Sequence, residues 1–144
     1  MPDDAIQVDG LKELKKQLRE VDASLTKELR RELRSVSQTA ERAIRSNVPV
    51  GPARGGHWRT AIRAGATPTS AYVTWGRASV PYAPWLEFGG TLRRRRPVSG
   101  GFTSIPRTRT PQGRYVFPVV RRLQPLLERQ AEAALDRVIR KAGF

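Results

Sequence analysis

The sequence predicts an α+β domain: a long N-terminal helix and a C-terminal helix packed on a small, mainly antiparallel β-sheet, with a long basic loop. Three observations lead there. Apolar residues recur at helical spacing from Leu11 to Ile44 and again from Leu123 to Ile139. Short β-branched and aromatic runs lie between them at 71–75 and 115–117. A stretch of glycine, proline, serine, threonine and arginine without an apolar period separates those two runs. The order is helix, small sheet, basic loop, helix, with two helices covering one face of a short sheet. A chain of 144 residues needs one core, so 1–144 is expected to be a single domain. Its parts are a helical region at 11–47, the sheet with an aromatic segment at 57–90, the loop at 91–114 and the last helix at 118–142.

The first helix carries Leu11, Leu14, Leu18, Val21, Leu25, Leu29, Leu33, Val36, Ala40, Ala43 and Ile44 on one face. Asp9 is placed to cap its start, and Pro49, Gly51 and Pro52 end it. An unbroken helix would be about 55 Å long, more than a domain of this size spans. It therefore either breaks near Asp22-Ala23-Ser24, where Asp22 can cap a second helix, or projects and meets a neighbouring subunit. Heptad spacing holds only from Leu11 to Leu25, which disfavours a long coiled coil. Glu41, four residues before Arg45, reads as part of a solvated face.

Residues 50–56 form a loop, and 57–62 are too few to type by period. Residues 71–75 form a strand between turns at 65–70 and 76–79. Pro84 suits the first turn of a brief helix through Phe88 that Gly89-Gly90 terminates. No element is expected from Thr91 to Gly113, and Tyr115-Val116-Phe117 is a second strand. The last helix begins near Pro118 or Pro125, carries Leu123, Leu126, Leu127, Ala131, Ala134, Leu135, Val138 and Ile139, and ends at Gly143.

Charge is unevenly placed. The net +14 comes almost wholly from residues 51–122, which hold thirteen arginines, no lysine and one acid, Glu87. Such a field attracts polyanions. Residues 1–47 nearly balance, with ten basic against nine acidic side chains. With no cysteine there is no disulfide and no thiolate chemistry, and the single histidine, His57, cannot hold a metal by itself. No run is long and apolar enough for a membrane span, and the acidic start is unlike a signal peptide, so the protein is expected to be soluble and intracellular when made.

Enzymatic chemistry lacks its parts: the middle segment offers only His57 and Glu87 as acid or base, and the glycines at 51–56 precede no Lys-Ser or Lys-Thr pair. No cofactor is expected. His57 and the three tryptophans, Trp58, Trp75 and Trp85, are expected to pack. Glu87, between Leu86 and Phe88, is expected to be partly buried and to meet an arginine or backbone amides, because an unpaired buried charge is costly.

The order of motifs resembles a known family. Ile6-Gln7-Val8-Asp9-Gly10-Leu11 precedes the leucine-striped helix, Val48-Pro49-Val50-Gly51 closes it, and Trp58-Arg59-Thr60-Ala61-Ile62 follows. Then come Tyr82-Ala83-Pro84-Trp85-Leu86-Glu87-Phe88-Gly89 and Phe117-Pro118 before the last helix. Together, from about residue 6 to 142, they resemble the head–tail joining, neck or tail-completion proteins of long-tailed bacteriophages. The chain departs from that pattern in having Trp58 in place of a leucine, Gly90 before Thr91, and a longer arginine-rich insert.

The resemblance implies a structural virion protein without catalytic residues: a homo-oligomeric ring between capsid portal and tail tube, sixfold or twelvefold, assembled in the host bacterial cytoplasm beside other connector and tail proteins. Within such a ring Tyr82, Trp85, Glu87 and Phe88 would form subunit contacts, Glu87 pairing with an arginine of the next copy. Arg93, Arg94, Arg95, Arg96, Arg107, Arg109 and Arg114 would contact genomic DNA without base readout, or dock on acidic patches of another virion protein. A free nucleic-acid-binding protein of the host cell is the alternative, although near charge balance in both long helices disfavours a recognition helix.

Overall fold

The computed structural model describes residues 10–49, 58–76, 80–95 and 102–143. The elements are α1 (Leu11–Val21), α2 (Ala23–Asn47), a 3₁₀ turn (Trp58–Ala61), β1 (Arg63–Thr67), β2 (Ser70–Thr74), α3 (Ala83–Phe88), β3 (Gly90–Arg95), β4 (Phe102–Arg107) and α4 (Val116–Lys141). The α+β class holds, with long helices near both ends. The strands form two separate antiparallel hairpins, β1–β2 and β3–β4, instead of one sheet. Among the described residues no helix is long and apolar enough to cross a membrane.

The N-terminal helix breaks where its sequence allows it. Asp22 is extended (φ −161°, ψ 123°), its amide donates to the Leu18 carbonyl at 2.8 Å and closes α1, and its carboxylate accepts from the Ser24 amide at 2.8 Å and opens α2. The break folds α1 back on α2 and removes the projecting helix, and with it that ground for a neighbouring subunit. The cap position of α1 is held by Gly10 in the left-handed region (φ 81°) without a side-chain cap; Asp9 lies outside the described residues.

Helix α2 is the spine along which the core is strung. At its start, Leu25, Leu29 and Leu33 pack with Leu11 and Leu18 of α1, Ala66 and Ala71 of the first hairpin, and Leu135 and Val138 of α4. At its centre Val36 and Ala40 meet Leu127, Ala131 and Ala134. Small side chains on this seam let α2 and α4 approach closely. At its end Ile44 and Val48 join Trp58, Ile62, Trp75, Val80, Val116 and Val119. The two helices run antiparallel: Glu32 pairs with Arg137 at 2.7 Å, and Asn47 Nδ2 donates to the Tyr115 carbonyl at 2.9 Å.

The polar face of α2 corrects the reading of Glu41 and Arg45 as solvated. Side chains at near-helical intervals reach the outer edge of β1. Arg30 Nε donates to the Ala66 carbonyl at 3.0 Å, Ser37 Oγ to the Gly65 carbonyl at 2.9 Å, and Arg45 Nη2 to the Ile62 carbonyl at 2.7 Å, while the Glu41 carboxylate accepts from the Ala64 amide. A strand edge with unpaired backbone groups is thereby covered by a helix. The hairpin register pairs Thr67 with Ser70 around the two-residue turn Pro68-Thr69, so Gly65 lies in a strand and not in a turn. It faces Tyr72, whose ring Cε2 would stand 2.5 Å from a Cβ added at Gly65, so the ring covers the glycine.

Two further expectations change. Residues 115–117 are not a strand: Tyr115 caps α4, which starts at Val116, two residues before Pro118. Pro125 sits within α4 at an exposed position, where the Arg121 carbonyl it leaves without a helical donor is free to meet water. The stretch from 91 to 113 is also not featureless, since β3 and β4 pair from Gly90↔Arg107 to Arg95↔Phe102.

The hydrogen bond from the Ser24 amide holds the Asp22 carboxyl below its usual range. A depressed folded pKa means that the cap's contribution is fully present above the ordinary Asp value of about 3.9 and is lost as pH falls through the folded value. Helicity followed by circular dichroism in an acid titration should therefore fall less steeply for Asp22→Asn, which caps without titrating, than for the unaltered chain. Asp22→Ala should lower the melting temperature at neutral pH.

Candidate functional site

The aromatic signature folds as α3. Pro84 fits the first turn because its missing amide would have no helical partner there, and Gly89 (φ 78°) ends the helix. A Cβ at Gly89 would run into the Thr108 carbonyl, so glycine is required for the chain after the second hairpin to pass this close. The Thr110 amide then donates to the Phe88 carbonyl at 2.8 Å.

Glu87 points inward from α3 to the first turn of α4. Its Oε2 accepts from the Tyr115 and Val116 amides at 2.9 and 3.0 Å, and its Oε1 from the Val116 and Phe117 amides at 3.1 and 3.0 Å. The residue is fully buried. Pro118 has no amide hydrogen, so all three amides that this helix start leaves open meet one carboxylate, whose negative charge also faces the positive end of the helix dipole. Consecutive strand amides point to opposite sides and cannot converge in this way, which is why residues 115–117 adopt the helical start. Gly113 (φ 80°) makes room, because a Cβ there would overlap the Glu87 carboxylate.

This geometry corrects the subunit-contact role expected for Glu87. It is inside the chain, and among the described residues no arginine pairs with it. Backbone amides, the other partner expected, take its place. Tyr82, Trp85 and Phe88 are half-buried. Phe88 lies 5.3 Å from Phe117 and 6.0 Å from Trp75, centroid to centroid, and so binds α3 to the start of α4. Trp58, with no exposed surface, donates from Nε1 to the Trp75 carbonyl at 2.6 Å. His57 lies outside the described residues.

The β3–β4 hairpin meets other elements chiefly through α3. Trp85 anchors its base, Nε1 donating to the Gly90 and Ile105 carbonyls at 3.2 and 3.1 Å, while the Arg107 guanidinium stacks 5.3 Å from the Trp85 ring centre. Arg107 also donates to the Tyr115 hydroxyl at 3.3 Å, and Arg114 donates to the Thr108 carbonyl. Arg107 and Arg114 are therefore structural residues of the hairpin base, not free contacts for a polyanion. Arg93 is exposed on β3, Arg94 and Arg95 follow it along the strand, Arg109 is exposed after the hairpin, and Arg96 lies outside the described residues.

Sequence reading missed the pairing of Glu87 with residues 115–117 and the stacking of Arg107 on Trp85. The one signal available was the isolation of Glu87 as a carboxylate among apolar neighbours. Because three amides, that of Val116 buried and those of Tyr115 and Phe117 partly so, lose their acceptor together, Glu87→Ala should lower unfolding free energy by about 3 kcal/mol in urea titrations. Glu87→Gln, which keeps a single acceptor oxygen, should fall between it and the unaltered chain. Gly113→Ala should destabilise through both its positive φ and the overlap with the carboxylate. Compared with protein-family models, curated proteins and solved structures, the chain matches none.

Proposed function

We propose that the chain is a structural subunit of a phage head–tail connector, a neck or tail-completion protein that forms a homo-oligomeric ring at the portal–tail junction. Two lines support the reading: the order of motifs from residue 6 to 142, and an arginine-bearing hairpin held at its base. The hairpin is the observation that carries it. Residues 88–127 contain no acid, so the sequence of this arm is basic throughout, and its strands touch the body chiefly through α3. An arm of that kind is suited to bind phosphate oxygens of a passing genome, or carboxylates on an adjoining virion protein, since the guanidinium fork fits both.

Glu87 has an internal task in this reading, so register between copies rests on other residues. Of the aromatic signature, the partly exposed surfaces of Tyr82, Trp85 and Phe88 remain for a neighbour. Sixfold symmetry matches a tail tube, and twelvefold a position against the portal.

Negative-stain imaging of the purified protein and immunolabelled virions tests the proposal. Rings in solution and label at the neck are expected, whereas a monomer absent from particles ends it. Nanomolar, sequence-selective DNA binding by the monomer would instead favour a free nucleic-acid-binding protein. Replacing Arg93, Arg94, Arg95 and Arg96 with serine should change the stability of the body by no more than about 0.5 kcal/mol, while reducing genome retention or ejection.

A further inference from the structure

A second concentration of cations lies on α1. Lys12, Lys15, Lys16 and Arg19 are three and four residues apart and so share one helical face. At about 100° per residue, this face sits between the stripe of Leu11 and Leu18, which is buried, and an edge formed by Glu13 and Glu20. The four cations line an open groove of about 390 Å³, completed by Thr69 in the β1–β2 turn. That turn is rich in hydroxyls: Thr67 Oγ1 stands 2.9 Å from Ser70 Oγ and 3.3 Å from Thr69 Oγ1.

Among the described residues no carboxylate lines the groove. Some surface cations, Arg31, Arg45, Arg137 and Lys141, are paired with a glutamate; among the described residues none of the four groove cations joins a salt bridge. Like charges gathered at such spacing repel one another and weaken the helix they sit on, an arrangement that an anion in the groove would relieve.

The groove is remote from the arginine hairpin. Leu11 and Leu18 pack with Leu135 and Val138 near the end of α4, whereas Arg107 at the hairpin base touches Tyr115 at its start. Along α4 the 20 to 23 residues between these points span about 30–35 Å.

We infer that Lys12, Lys15, Lys16 and Arg19 form a binding site for the phosphate backbone of nucleic acid, separate from the hairpin. From Lys12 to Arg19 the helix rises about 10 Å, the axial span of about three phosphates of one DNA strand at 3.4 Å each. Lysine and arginine side chains beside threonine and serine hydroxyls are the groups that contact phosphate oxygens without reading bases. An anionic membrane surface fits less well. Helices that lie on membranes insert an apolar face beside the cations, and here Leu11 and Leu18 are turned into the core.

The experiment is fluorescence anisotropy of a short random-sequence DNA duplex titrated with the full chain over a range of salt concentrations. The test variant is Lys12→Ala/Lys15→Ala/Lys16→Ala/Arg19→Ala, in which alanine preserves helix propensity and circular dichroism checks folding. Loss of at least tenfold in affinity at low salt is expected. The slope of log affinity against log salt should become shallower by about 3, from about 0.9 per phosphate contact. An Arg93→Ser/Arg94→Ser/Arg95→Ser chain should still show this loss when the α1 substitutions are added. Unchanged affinity and slope in a folded α1 variant overturn the inference. So does a variant that keeps duplex binding but loses binding to phosphatidylserine vesicles, which would assign the groove to membranes.

Discussion

A helix that begins inside a protein presents amide hydrogens that water cannot reach, and in this chain three of them converge on the carboxylate of Glu87. Much of the molecule's second half follows from this contact. It fixes the short helix α3 against the first turn of α4, and it requires a glycine at 113. It also brings Phe88 and Phe117 into the aromatic group around Trp75. The base of the β3–β4 hairpin is set by the same α3, because Trp85 holds both of its strands.

The first half is organised by α2, whose two faces do different work. One face buries leucines, valine and alanine against α1, α4 and the first hairpin. The other extends Arg30, Ser37, Glu41 and Arg45 along the edge of β1, where they bond backbone groups that would otherwise be open to another strand. A two-stranded hairpin is marginal by itself, and this covering lets a small sheet persist in a chain of modest apolar content.

Positive charge is divided between two places with different surroundings. At the hairpin base Arg107 and Arg114 stack on or bond to the chain itself, while Arg93 and Arg109 are exposed. On α1 the cations crowd one face and lack acidic partners among the described residues. Both regions suit anionic partners, but through different means: a hairpin can reach outward, whereas a helical face offers a fixed spacing of charges.

Much of the fold is legible in the residues. Helical spacing reveals α1, α2 and α4, Asp22 and Ser24 mark the break, and Pro84 with Gly89 bounds α3. The basic face of α1 was also legible in the spacing of Lys12, Lys15, Lys16 and Arg19, but it disappears when charge is summed over residues 1–47. Residues 115–117 misled, because β-branched and aromatic side chains favour a strand when nothing else decides, and here a glutamate nearly thirty residues earlier does decide. The β3–β4 hairpin escaped notice because its run of arginines, threonine and serine leaves no apolar–polar alternation in the sequence to read. The sequence by itself therefore determined which segments are helical and where they break, since those are set by local periodicity and capping. Only the tertiary structure decided which side chains satisfy which distant backbone groups, because a hydrogen bond between residues far apart in sequence leaves no period in the chain.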